Sequence, residues 1–157
     1  MPTPSAPLRQ ARRAWNLLHV DAARARALAG AACTAAVAAR DPVAEGWARL
    51  VVGMHGLYFG RPAEAEQELR AAERRLQAGA DRAGLILARA MMARAWWRQG
   101  RFSDALAQVL PLRDEGVRLL RHEQRAVLLN TIAGAYSAYG DSAQAFAYMF
   151  EALRDAG

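Results

Sequence analysis

Leu128-Leu129-Asn130-Thr131-Ile132-Ala133-Gly134-Ala135-Tyr136-Ser137-Ala138-Tyr139-Gly140-Asp141-Ser142-Ala143-Gln144-Ala145 is the stretch on which the rest of the chain is read. Its apolar residues recur three and four apart up to Tyr136, the spacing of one face of an α-helix. Gly140-Asp141-Ser142 stops that pattern, because Gly accepts a left-handed backbone and Asp can cap a new helix. A second helical pattern then starts with Ala145. The stretch therefore predicts two antiparallel helices joined by a tight turn.

Stepping backward by 40 residues finds the same break at Gly100-Arg101-Phe102 and at Gly60-Arg61-Pro62. Ala follows five residues later at Ala65, Ala105 and Ala145, and a further step gives Ala25 behind Val20-Asp21. Ala29, Leu69, Val109 and Met149 share one later phase, and Ala32, Ala72, Leu112 and Ala152 another; both are expected to be buried. Before the turn, Val52, Met92 and Ile132 are followed by the small residues Gly53, Ala93 and Ala133, which let a partner helix approach closely. Asp21, Asp41, Asp81 and Asp141 stand at expected helix starts, and Pro42 and Pro62 in tolerated first-turn positions. Helices are predicted over 7–19, 21–39, 42–59, 61–78, 82–99, 101–119, 122–139 and 141–155. Pro111 predicts a kink near Gln108 to Leu112, since it removes a backbone donor. Leu119 and Leu120 require burial.

The expected fold is all-α, about four helix pairs in which each apolar stripe is too broad to bury alone and stacking makes a continuous core. One domain over 1–157 is expected, with 1–40 a degenerate N-terminal repeat or cap followed by units 41–80, 81–120 and 121–157. About a quarter of the residues are Ala, which favours closely packed helices. The net charge is +6, and all 21 basic residues are Arg, a usage like that of a GC-rich genome. The excess is concentrated in residues 1–40, which hold six Arg against one acid. Cys33 is the only cysteine, which excludes an intramolecular disulfide and a Cys-based zinc site. A reducing, cytoplasmic setting is expected, against an export reading in which the arginines up to Arg26 precede the mild apolar run 27–39. No stretch approaches the ~20 apolar residues of a membrane span.

The 128–145 stretch resembles a tetratricopeptide (TPR-like) repeat: Leu129, Ile132, Ala133, Tyr136, Gly140-Asp141, Ala145 and Ala152 fill the family's pattern. Met92, Ala93, Trp96, Gly100, Phe102 and Ala105 match in the preceding unit, and Gly56 stands where the earlier unit should have an aromatic. The resemblance covers residues 41–157 and implies a right-handed α-solenoid of antiparallel pairs. The usual period is 34, so 40 implies longer helices, similar to the extended repeats upstream of bacterial diguanylate cyclase (GGDEF-type) output domains. By that likeness the chain is expected to be a bacterial signalling or regulatory module, a candidate N-terminal part of a longer protein.

Transferring the family's groove-facing phases puts Trp47, Leu50, Met54, Leu57 and Tyr58 on one helix. Leu87, Ala90, Arg94, Trp97 and Arg98 follow on the next, and Val127, Asn130, Gly134 and Ser137 on the last. Such an aromatic and cationic surface would suit a protein or peptide with apolar anchors and an acidic group, because Arg makes bidentate bonds to carboxylates. The family's Lys-and-Asn carboxylate clamp is not reproduced. In the alternative, Trp96 is core, Trp97 packs between helices, and Arg94 and Arg98 are solvated. His19, His55 and His122 share no spacing with carboxylates or Cys33 that would make a metal site, and no phosphate-binding or nucleophile motif occurs. No catalysis, cofactor or metal is therefore expected. Two other functions stay open: self-association into a homodimer or larger homo-oligomer through apolar solenoid ends, and nucleic-acid binding through Arg9, Arg12, Arg13 and Trp15.

Overall fold

Four aspartates start helices in the computed structural model, which describes residues 3–156. Asp21, Asp41, Asp81 and Asp141 each accept a hydrogen bond from the backbone N–H three residues on, at 3.0, 3.1, 2.9 and 3.1 Å. Each bond satisfies a donor that the first helical turn leaves open. The expected starts at 21 and 141 thus become caps lying just outside their helices. Four helix ends carry a left-handed residue, at Arg40, Ala80, Gly100 and Gly140. The next N–H closes back five residues, from Asp41, Asp81, Arg101 and Asp141, each at 2.9 Å, which satisfies a terminal carbonyl. The 40-residue register is therefore written in the turns as well as in the apolar faces.

The described residues are all helical, with no strand: α1 (Ala6–Leu17), α2 (Ala22–Ala38), α3 (Pro42–Phe59), α4 (Pro62–Ala78), α5 (Arg82–Trp97), α6 (Phe102–Val109), α7 (Arg113–Leu119), α8 (His122–Tyr139) and α9 (Ser142–Ala156). One 3-10 turn, Leu110–Leu112, lies between α6 and α7. It falls where Pro111 predicts a kink, and it divides the expected 101–119 helix in two. Backbone packing groups the chain into two compact units, Met1–Ala88 and Arg89–Gly157.

In the first unit α1 packs on α2 and α3, α2 on α3, and α3 on α4. Ala25, Ala29, Ala32 and Ala36 of α2 are all fully buried, so an almost bare helix face meets its neighbours. In α4 the same phases hold Ala65, Leu69, Ala72 and Leu76. Their bulk is received by glycines: a Cβ on Gly53 would lie 2.6 Å from Leu69, and one on Gly46 or Gly84 would lie 2.5 or 2.7 Å from Leu76. Leu76 thus sits between α3 and α5, filling space that only a residue without a side chain leaves open. The small residue expected at Gly53 has this packing reason.

In the second unit α6 and α7 pack on α8, and α8 on α9. Ala105, Val109, Leu112, Leu128, Leu129, Ile132, Ala133, Ala145 and Ala152 form its core. Two positions expected to be buried are not. Leu120 is buried but Leu119 is exposed, and Met149 is exposed while its register counterparts Ala29, Leu69 and Val109 are fully buried. No helix of the described chain is long and apolar enough to cross a membrane.

Candidate partner-binding site

The residues proposed to line a groove divide into three groups once their surroundings are known. In the first unit Leu50 and Met54 are enclosed in the core, and Trp47 is 3% exposed. The Trp47 indole N–H donates to Asp81 Oδ2 at 3.1 Å. Its ring meets Trp15 edge-on at 5.7 Å and lies against Gly84. Leu57 is also fully buried. Of the α3 set only Tyr58 keeps partial access to solvent, with its ring 5.4 Å from that of His19.

In the second unit Arg94 donates to Thr131 Oγ1 of α8 at 3.2 Å, and its guanidinium lies 5.1 Å from the Trp97 ring centroid. Trp97 in turn packs so tightly on α8 that a Cβ on Gly134 would stand 2.6 Å from its ring. Arg98 and Asn130 are exposed. Arg94 and Trp97 are therefore brought together, but as a contact between α5 and α8. The physical reason is a shared offset. Trp47 reaches Gly84, Arg94 reaches Thr131 and Trp97 reaches Gly134, each 37 residues further on. These phases of a first helix face the first helix of the next pair, so most of the residues on them are interface residues. Asn130 lies in the register of Leu50 and Ala90, which are fully buried, yet it is exposed on α8.

The basic N-terminal patch is also altered by packing. Arg9 and Arg13 are exposed, while Trp15 is partly covered and meets Trp47 edge-on, so its ring is engaged in the first unit's packing. A polar network lies nearer the core: buried Glu45 accepts from Arg49 at 2.8 Å and Arg75 at 3.0 Å, and Arg49 also reaches Glu68 at 3.2 Å. These pairings satisfy a carboxylate that burial would otherwise penalise. Burial is also the main cause that pushes the nearby Cys33 thiol above its ordinary value, which favours the unreactive protonated form at neutral pH. Among the described residues no three His, Cys, Asp or Glu side chains gather as a metal-binding group. A cleft of about 390 Å³ in the first unit is lined by Arg26, His55, Gly56, Arg61, Glu64 and Glu68 among others. Its charges are of both signs, and Arg61 faces Glu64 at 3.9 Å.

The most exposed apolar surface lies on α9. Phe146, Met149, Phe150 and Leu153 are 59, 41, 62 and 66% exposed. Their spacing of three, one and three places them on one stripe of the helix. A depression of about 150 Å³ joins this stripe to α8, lined by Ser137, Ser142, Ala145, Phe146 and Met149. On the other side of α9, Tyr148 stacks on Tyr136 at 5.6 Å and Arg113 of α7 bonds Glu151 at 3.0 Å. One face is thus fastened and the other left bare. The signal for the bare face was present in the sequence as the Phe146, Met149, Phe150, Leu153 spacing, but the repeat register alone assigned Met149 to the core. Comparison of the chain with family models, curated proteins and solved structures finds no match.

Proposed function

We propose that this chain is a non-catalytic protein-interaction module whose helix pairs stack as a right-handed TPR-like solenoid, and that it binds a helical partner through the open face of α8 and α9. The observation carrying this reading is the α9 stripe. Contiguous exposed apolar patches mark interaction surfaces. Four large apolar side chains at helical spacing match a helix laid along a groove. Asn130 and Ser137 of α8 are exposed polar groups that would border such a partner. Arg98 would contribute at most a peripheral charge contact.

A regulatory role follows in the same reading: occupancy of this face would be passed to an output domain, of which a diguanylate cyclase is the kind implied by the repeat resemblance. The binding reading is tested with a labelled amphipathic peptide carrying Leu at positions i, i+3, i+4 and i+7, titrated by fluorescence anisotropy. Saturable binding is expected, weakened at least about tenfold by Phe150→Glu. Absence of saturable binding, or equal binding to the variant, would sink the assignment.

A further inference from the structure

We infer that the occupant of the α9 stripe is the α9 helix of a second copy of this chain, making a closed two-fold dimer. This rests on the reading of the chain as an interaction module, and it names that module's partner.

Continuation of the repeat would account for only part of the stripe. Met149 has fully buried register counterparts at Ala29, Leu69 and Val109, so a following helix in the same arrangement would cover that position. The other three differ. Phe146 corresponds to Arg26, Glu66 and Leu106, Phe150 to Gly30, Arg70 and Leu110, and Leu153 to Cys33, Glu73 and Arg113. None of these nine residues is buried, and seven of them, Leu106 and Leu110 included, are partly covered. Where earlier repeats meet solvent with mostly polar or small residues, α9 carries two Phe and a Leu. A following helix in the same arrangement would cover those three only in part.

The pattern fits a copy of itself. Spacings of three, one and three read the same in both directions. Two antiparallel α9 helices related by a two-fold axis would therefore set Phe146 against Leu153 of the second copy, and Met149 against Phe150 of the second copy. An isologous pairing of this kind closes on itself and leaves no sticky end. No charged residue lies on the stripe, so no ion is stranded on pairing. Glu151 is held on the other side of α9 by Arg113. A head-to-tail arrangement would instead bring the stripe to α1, whose exposed side chains include Arg9, Arg13 and Asn16. That face is basic and polar, and it would be desolvated against Phe and Leu without a partner charge.

The area fits a weak, concentration-dependent dimer. Taking about 200 Å² for a fully exposed large side chain, the four residues leave roughly 450 Å² of apolar surface per copy. Pairing removes up to about 900 Å² from the stripe, the size of a weak, reversible interface rather than a permanent one.

Sedimentation equilibrium of the whole chain from micromolar to sub-millimolar concentration tests this. The expected result is a species of twice the 17.1 kDa chain mass, dissociated by Phe150→Glu and by Leu153→Glu, with dimerisation weakened at least about tenfold and circular dichroism unchanged. Both positions are exposed, so the substitutions spare the core. In a Cys33→Ala background, Phe150→Cys should cross-link copies on oxidation, whereas Gln144→Cys, on the opposite side of α9, should not. A wild-type monomer at sub-millimolar concentration overturns the inference, as does a dimer indifferent to both Glu variants or cross-linked only through position 144. A monomer that still binds the Leu-stripe peptide refutes the second copy alone. A monomer that binds no peptide refutes the interaction reading as well.

Discussion

Trp97 of α5 is seated on Gly134 of α8, where an added Cβ would lie 2.6 Å from the indole ring. A ring held between helices cannot retreat as the tip of a flexible chain can, so the substitution Gly134→Ala must push the helices apart or tilt the indole. Overpacking of this kind costs about 1–3 kcal/mol, somewhat offset by the better helix propensity of Ala. The expected outcome is a lower urea midpoint with an unchanged slope. Pairing the change with Trp97→Leu should recover part of the loss, a non-additivity that independent sites would not show.

Asp81 does two things at once, accepting from the Gly84 N–H at 2.9 Å and from the Trp47 indole at 3.1 Å. Asp21 caps α2 through the Arg24 N–H and is exposed. Asp21→Ala should cost about 0.5–1 kcal/mol, the range of an exposed cap. Asp81→Ala should cost about 1 kcal/mol more, because it also leaves the buried indole N–H without its acceptor. Equal losses in thermal unfolding would show that the Trp47 bond contributes nothing.

Pro111 lies in the 3-10 turn Leu110–Leu112 that separates α6 from α7. An Ala there restores a backbone donor inside what is otherwise one helical segment, and it removes the clash of the Pro ring with the preceding turn. Against this stands the greater freedom of the unfolded chain, worth about 0.4–1 kcal/mol. Pro111→Ala should give a net gain of roughly 1 kcal/mol and slightly more helix by circular dichroism. A loss would mean that the packing of Leu112 depends on the bend.

Burial, with Arg26 adding to it, holds the His55 imidazole below its ordinary value. The folded chain therefore binds this proton less readily than the unfolded chain does. Its contribution to stability is fully present above the unfolded value of about 6.5 and is lost as pH falls through the depressed folded value. Stability measured by urea should thus drop between pH 7.5 and pH 5, and His55→Gln should flatten that drop. An unchanged drop in the variant would assign it to other groups.

Much of the fold was legible because its signals are local. Asp21, Asp41, Asp81 and Asp141 mark helix starts by their own side-chain geometry, and Pro111 marks the interruption by lacking an N–H. The small residues at Gly53, Ala93 and Ala133 were legible as sites of close approach, and all three are buried. The candidate site was read less well. Leu50 and Met54 have the same apolar character whether a groove or a neighbouring helix faces them, and only the latter is the case. Trp15 beside three arginines reads as a basic aromatic patch until Trp47 is found against it.

Helicity, the points where the helices begin and break, and their 40-residue repeat can all be read along the chain. Those properties depend on capping groups, on proline and glycine, and on the 3.6-residue turn, all of which act within a few residues along the chain. Which side of each helix meets another depends on packing between distant segments. The 37-residue offset that sets Trp47 on Gly84 and Trp97 on Gly134 arises from bulky rings finding the positions with no side chain. Packing enclosed Trp47, Leu50, Met54, Leu57, Leu87 and Ala90 of the expected groove, and on α9, where the described chain provides no such cover, it left Phe146, Met149, Phe150 and Leu153 facing outward.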